Sequence, residues 1–184
     1  MELMDIVDED GMPTGETVER EVAHKHGIRH RTSHVWLFRL HNGKTQLLLQ
    51  KRSLNKESYP GCFDISSAGH IPAGDGFLES ALRELKEELG TYANAEELIY
   101  CGQRSFELRE IFNGQKFWEN QVSRVYALRR DIEEPEFVLQ SSEVDSVTWM
   151  DWDMCMDMVK NNTAQNCIRT DELEMISSTV NGIY

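Results

Sequence analysis

The chain is short of cations. Its 184 residues carry 19 Lys and Arg against 32 Asp and Glu, a formal charge of −13. Nucleic-acid backbones and anionic membrane surfaces both call for a basic footprint, so neither is expected as a partner. A small phosphorylated ligand stays open, because a bound metal and a few local cations can reverse the potential inside one pocket. Cysteine is sparse as well. Cys62, Cys101, Cys155 and Cys167 show no CxxC spacing, which removes the usual zinc and thioredoxin-like signatures. Free thiols in a reducing compartment fit that pattern. No run approaches the ~18 apolar residues of a membrane span. The opening residues Met1 to Asp10 lack the basic and apolar regions of a signal peptide. The expected location is therefore cytoplasmic, which leaves Asn161-Asn162-Thr163 an idle glycosylation sequon. Repeats, low-complexity tracts and linkers are also missing, and 40% hydrophobic residues suit one domain spanning residues 1–184.

What the sequence does contain is a strongly patterned stretch from Gly69 to Gly90. Its first third is punctuated by Gly and Pro, which predicts a sharply turning loop able to bring backbone close to a ligand. The remainder reads as a helix. Leu78, Ala81, Leu82, Leu85 and Leu89 recur at three- and four-residue steps and form one apolar stripe. Asp75 reads as the N-cap and Gly90 as the residue that ends the helix. Glu84, Glu87 and Glu88 also stand at i, i+3 and i+4, on a face about a third of a turn from the stripe. Like charges at that spacing repel, and Arg83 is the one cation well placed to relieve them. Three carboxylates beside a loop rich in carbonyl oxygens suit a hard divalent cation such as Mg²⁺. A merely solvated acidic face is the bland alternative.

Elsewhere, Met4–Val7 reads as a short strand entering a turn at residues 8–11, and residues 16–25 as polar with weak helical character. His24, His26, His30 and His34 crowd within eleven residues, enough to carry metal or phosphate contact forward as an idea. Residues 35–40 and 46–50 form a hairpin around His41-Asn42-Gly43-Lys44. Lys51, Arg52 and Lys56 follow, before a Tyr59-Pro60-Gly61 turn, and make the best local anion site on an acidic background. Residues 63–67 are a strand feeding the Gly69 loop. Beyond the helix, 98–100 and 107–108 read as short strands, 121–128 and 144–150 as firmer ones, and 152–160 and 170–180 as helices. Met154, Met156 and Met158 are read as core or cover. Strands flanking the central helix, with helices at the end, predict an α/β/α layered domain with a mixed sheet.

Read whole, the stretch resembles the Nudix box: Gly, five residues, Glu, seven residues, Arg-Glu-apolar-x-Glu-Glu-x-Gly-apolar. Gly69 opens it, Arg83-Glu84-Leu85 form its centre, Glu87-Glu88 its acidic pair and Gly90 its close. Asp75 stands where the family has Glu, and Thr91 where it has an apolar residue. The resemblance implies a Nudix-type fold and hydrolysis of a diphosphate linkage in a nucleoside diphosphate joined to another group. It implies Mg²⁺ or Mn²⁺ held by Glu84 and Glu88, with Glu87 on a second ion or positioning water, and the Ala68 carbonyl as a backbone ligand. Arg83 would orient the carboxylates, while Lys51, Arg52 and Lys56 would grip phosphate. A homodimer is implied by analogy only.

The order His30, Trp36-Leu37-Phe38, Lys51-Arg52, Pro60-Gly61, Gly69-His70 and Glu119-Asn120-Gln121 is similar to the branch containing isopentenyl-diphosphate isomerase. In that branch the metal is held by histidines, including that of the Gly-His pair, and by acidic residues. His30, His70 and Glu119 are retained here. Ala68 replaces the catalytic Cys and Gln121 the second Glu, and neither a methyl nor an amide can move a proton. Isomerase and non-catalytic binding module therefore stand as alternatives to hydrolase. The intact triple Glu favours the hydrolase.

Overall fold

A computed structural model describes residues 2–112 and 114–182. Chain order gives strands β1 (Leu3–Val7) and β2 (Pro13–Glu19), helix α1 (Arg20–His26), and strands β3 (His30–His41), β4 (Lys44–Arg52), β5 (Phe63–Asp64) and β6 (Ser67–His70). Helix α2 (Phe77–Leu89), strands β7 (Ile99–Phe112), β8 (Gln115–Arg129) and β9 (Val144–Asp151), and helices α3 (Trp152–Asn161) and α4 (Thr170–Gly182) follow. The main sheet runs β5-β4-β3-β8-β7, with β6 against the first half of β3 and β9 against β4. It is mixed: β3 and β8 are parallel from His30↔Gln121 to Phe38↔Arg129, whereas β3 pairs antiparallel with both β4 and β6.

Both faces of this sheet are covered, as the α/β/α expectation required. Side chains alternate across a strand, so β3 sends Val35 and Leu37 to one face and Trp36 and Phe38 to the other. The first pair packs with Ala81, Leu85 and Leu89 of α2. The second packs with Cys155 and Met158 of α3 and Leu173 and Ile176 of α4. Burying each such side chain contributes roughly 1.5–3 kcal/mol. Met158 is core and Met154 is exposed, so the methionine run covers the sheet with one face of α3.

Four expectations need correction. The N-cap of α2 is Gly76, not Asp75: the Gly76 N–H donates to the Glu79 carboxylate at 2.9 Å. Asp75 instead faces Arg83, 3.4 Å away. Gly90 does end the helix, at φ 65° in the left-handed region. Second, part of the segment read as weakly helical is strand: β2 pairs with β1 from Leu3↔Glu19 onward, and only Arg20–His26 turns helical. Pairing with a neighbour outweighs weak local preference there. Third, the two short pieces at 98–100 and 107–108 are parts of one 14-residue strand, β7, paired along its length with β8. Fourth, residues 63–67 split into β5 and β6. Ser66 interrupts them, its hydroxyl donating to the Leu48 carbonyl at 2.6 Å and accepting the Leu37 N–H at 2.7 Å. The hairpin at Asn42-Gly43 is as expected, both residues at positive φ.

Candidate active site

Strand β6 separates two groups of chemistry-bearing side chains. On its α2 side, Gly69 leaves no room for a side chain: a Cβ there would lie 2.1 Å from Cδ of Glu84. Arg83 gathers this side. Its Nη2 donates to Glu84 Oε1 at 2.7 Å and to the His70 carbonyl at 3.1 Å, and its Nε lies 3.8 Å from Glu87. Glu88 is buried at 5% exposure and accepts from Ser67 Oγ at 2.7 Å and the Ala68 N–H at 3.2 Å. Burial pushes its carboxyl up to about 8, against those two hydrogen bonds and with help from the Glu84 charge. Glu84 is raised as well, again chiefly by burial. Arg83 thus gathers Glu84 and Glu87, while Glu88 is turned to Ser67 and the Ala68 N–H, and among the described residues these three carboxylates do not close into one set of ligand atoms.

On the opposite side of β6 a cavity of about 1940 Å³ opens, lined by Ala68, Gly69 and His70 among others. At one end His24 of α1, His30 at the start of β3, His70 at the end of β6 and Glu119 of β8 converge. Their ligand atoms all lie within 4.8 Å of one another. Among the described residues this is the set of His, Cys, Asp and Glu that closes so tightly. His30 Nε2 is 3.0 Å from Glu119 Oε1, and His24 Nε2 lies 3.5 Å from the same oxygen. His30 Nδ1 faces the Ile28 carbonyl at 2.9 Å, which places its proton there and turns the Nε2 lone pair inward. His30 Nε2 and Glu119 Oε1 are both buried without a hydrogen-bond partner. Burial keeps His70 neutral, its pKa well below the ordinary value, the form in which imidazole binds a metal. Orphaned acceptors facing one point fit a cation. Three imidazoles and one carboxylate favour a first-row transition ion over Mg²⁺.

The crowded histidines thus divide. His24 and His30 join His70, His26 is exposed at the cavity rim, and His34 serves elsewhere. His34 Nδ1 meets the Glu172 carboxylate at 2.9 Å, Trp36 Nε1 donates to it at 2.9 Å, and Arg104 Nη1 does so at 2.9 Å. Burial alone would raise Glu172, yet His34 and Arg104 hold it down at about 2. Burial opposes protonation of His34 most strongly, but the Glu172 charge and hydrogen bond together overcome it and His34 is raised. Sequence reading missed this network. Its members come from β3, β7 and α4, with no spacing to link them.

The expected phosphate grips stand differently. Arg52 and Lys56 line the cavity but are engaged: Arg52 with Asp64 at 2.8 Å and the Ser58 carbonyl at 3.0 Å, Lys56 with Glu143. Lys51 is exposed and outside the residues lining the cavity. No described helix is long and apolar enough to cross a membrane.

A layered α/β/α fold with a mixed sheet, carrying an acidic helix against a Gly loop, defines the class. A NUDIX domain family model matches residues 30–167, and the chain belongs to that family. It is 40% identical over 156 residues to Nudix hydrolase 3 of Arabidopsis thaliana, covering 83% of this chain and 19% of that protein. Among solved structures, DR0079 from Deinococcus radiodurans superposes with a TM-score of 0.67 at 17% identity, covering 96% of this chain and 98% of that one. The NUDIX domain of Shewanella oneidensis NrtR, solved with ADP ribose, does so at 0.56 and 16%, covering 84% and 88%.

Proposed function

We propose that this chain is a single Nudix domain hydrolysing a diphosphate linkage in a nucleoside-diphosphate-type small molecule, with a divalent metal ion. The observation that carries the reading is the packing of Glu84 on Gly69 and of Glu88 on Ser67 and the Ala68 N–H, along the strand whose Ala68, Gly69 and His70 line the cavity. A bound divalent ion supplies charge neutralisation at phosphate and polarises the attacking water. The chain's own residues do the rest. Glu84 and Glu88, with Glu87 and the Ala68 carbonyl, would hold Mg²⁺ or Mn²⁺, and Glu88 gives up its proton in doing so. Arg83 fixes the direction of Glu84 and Glu87. His24, His30, His70 and Glu119 would hold a transition ion. Arg52 and Lys56 reach phosphate only by exchanging Asp64 and Glu143 for it, so their contribution is charge at the cavity wall rather than free grips.

The histidine set favours a second reading at branch level, since it matches the ligands retained from the isopentenyl-diphosphate-isomerase-like resemblance. Ala68 and Gln121 both line the cavity, and neither can exchange a proton, so isomerisation is not supported. The test is a panel of diphosphates with Mg²⁺ or Mn²⁺, scored for phosphorylated products before and after chelation. Turnover that survives chelation overturns the metal requirement, and no turnover on any member overturns the hydrolase and favours a binding module. Free thiols at all four cysteines agree with a cytoplasmic setting, and a homodimer remains an analogy from the family.

A further inference from the structure

Strand β7 turns alternate side chains into the cavity. Arg104, Phe106, Leu108, Glu110 and Phe112 line it, while Ser105, Glu107, Arg109 and Ile111 are exposed on the other face. On β8, Phe117 and Glu119 line it too. Leu108 is the cross-strand partner of Glu119, and Glu110 that of Phe117. Phe112 stands four residues beyond Leu108, about 13 Å away at the rise of an extended strand. The wall therefore leads from the histidine–glutamate group toward the hairpin tip.

At that tip an aromatic chain crosses from the loop between β4 and β5. Tyr59 meets Phe112 at 4.9 Å between ring centres, Phe112 meets Phe117 at 5.4 Å, and Phe117 meets His24 at 4.6 Å. The first two contacts are edge-to-face, at 70° and 76°, so the ring that presents its edge keeps its faces out of the contact, and both Tyr59 and Phe112 are half-buried on the cavity wall. Tyr59 sits at φ 50°, a strained conformation for a bulky residue, and strain of this kind gathers where a ligand is clamped. Burial first, and then the neighbouring Glu110 carboxylate, raise the pKa of its hydroxyl. The root of its loop is tied down by Arg52, which binds the Ser58 carbonyl, and by the Gly61 N–H donating to the Arg52 carbonyl. A fixed root with a strained aromatic tip places that ring on purpose.

We propose that Tyr59 and Phe112 are specificity-determining residues that hold the planar base of a nucleoside whose diphosphate lies at the Ala68–Gly69–His70 end of the cavity, against the strand on which Glu84 and Glu88 pack. This rests on the diphosphate reading above. The span between the two ends suits a group longer than pyrophosphate itself, and ring faces left out of these contacts suit a flat partner.

Calorimetry separates the two claims with three probes: α,β-methylene-ADP, methylenediphosphonate, and its hexyl ester. Tyr59→Ala and Phe112→Ala should each weaken α,β-methylene-ADP by about tenfold, the loss expected for one base–aromatic stack. Methylenediphosphonate should bind these variants as it binds the wild type. Tyr59→Phe, which keeps the ring and loses only the hydroxyl beside Glu110, should retain nucleotide binding within about twofold. Circular dichroism melts check that each variant folds. An equal loss for both probes would mean that the residues act only on the fold and overturns the proposal. So does a hexyl ester whose binding alone responds to Phe112→Ala. Wild-type protein that binds methylenediphosphonate but no nucleotide overturns this inference and leaves the diphosphate reading standing. Binding of no probe at all sinks both.

Discussion

His30 Nε2 and Glu119 Oε1 face each other at 3.0 Å, buried, and neither finds a hydrogen-bond partner. With His30 Nδ1–H on the Ile28 carbonyl, Nε2 and the Glu119 oxygen stand at a distance that calls for a shared proton or a metal cation between them. His24 and His70 complete a set whose donor types suit zinc, manganese, iron or cobalt.

Purified protein should therefore take up about one equivalent of such an ion per chain. Titrating Zn²⁺ or Co²⁺ into chelated protein should raise the melting temperature, with stabilisation of about 2.7 kcal/mol when free metal exceeds its dissociation constant a hundredfold. His30→Ala should abolish the shift. Cobalt absorption bands offer a direct readout, and an unchanged spectrum in His30→Ala would remove these four residues from metal binding.

Glu88 offers a different test, because its environment accepts an uncharged carboxyl or an amide equally well. In Glu88→Gln the side-chain oxygen can still accept from Ser67 and the Ala68 N–H, so the fold should persist. If Glu88 holds the catalytic ion, kcat should fall by about 10²–10³-fold, the scale typical of losing an electrostatic group aimed at the reacting centre. Normal turnover in a folded Glu88→Gln protein would displace the site from this helix.

Gly69 tests the same assembly from the backbone. A methyl group there would lie 2.1 Å from Glu84 Cδ, so the carboxylate must swing away. The far end of a flexible side chain moves cheaply, and Gly69→Ala should cost under about 2 kcal/mol of stability, within the ordinary range of single substitutions. Activity should drop at least tenfold. A Gly69→Ala enzyme with full activity would show that the direction of Glu84 does not matter.

These features differ in how much of them the sequence reveals. The box was legible because helical spacing fixes which side Glu84, Glu87 and Glu88 share, and because glycine at 69 has a local steric cause. The metal group was half legible: His30, His70 and Glu119 were carried by resemblance, while His24 was only one of a crowd. Nothing local distinguishes His24 from His26. The difference arises because one ring of α1 points to the cavity and the other to solvent. Strand β7 was read as fragments because Arg104, Glu107, Arg109 and Glu110 mask its alternation, though Phe106, Leu108 and Phe112 do alternate. Glu172 was invisible, since its partners lie 68 to 138 residues away.

That buried Glu172 makes stability depend on pH in a defined way. Its folded pKa of about 2 lies below the unfolded value, so its contribution is full above about pH 4.5 and disappears as pH falls toward 2. His34 acts in the opposite sense: raised in the folded state, it contributes fully below its unfolded value near 6.5 and loses that contribution as pH rises through its folded pKa. Denaturant melts should accordingly show the network's greatest contribution between about pH 4.5 and 6.5. Glu172→Gln should lose about 3–5 kcal/mol at pH 6, since it leaves Arg104 and His34 buried without their counter-charge. The loss should shrink as pH approaches 2. A constant difference across that range would mean that Glu172 is not ionised in the folded protein.

The last prediction concerns what the cavity cannot do. Ala68 and Gln121 stand on β6 and β8, on either side of the β3 strand that supplies His30. Moving a double bond requires one group to deliver a proton and another to remove one, and at these two positions a methyl and an amide can do neither. Isopentenyl diphosphate incubated with the protein and its metals should yield no dimethylallyl diphosphate. The acidic helix, intact at Glu84, Glu87 and Glu88, should instead direct any reaction to the diphosphate, so that phosphorylated fragments accumulate. Chromatography of the products decides between the two outcomes. Dimethylallyl diphosphate appearing in step with protein concentration would require a proton donor that neither residue provides, and would return the chain to the isomerase reading.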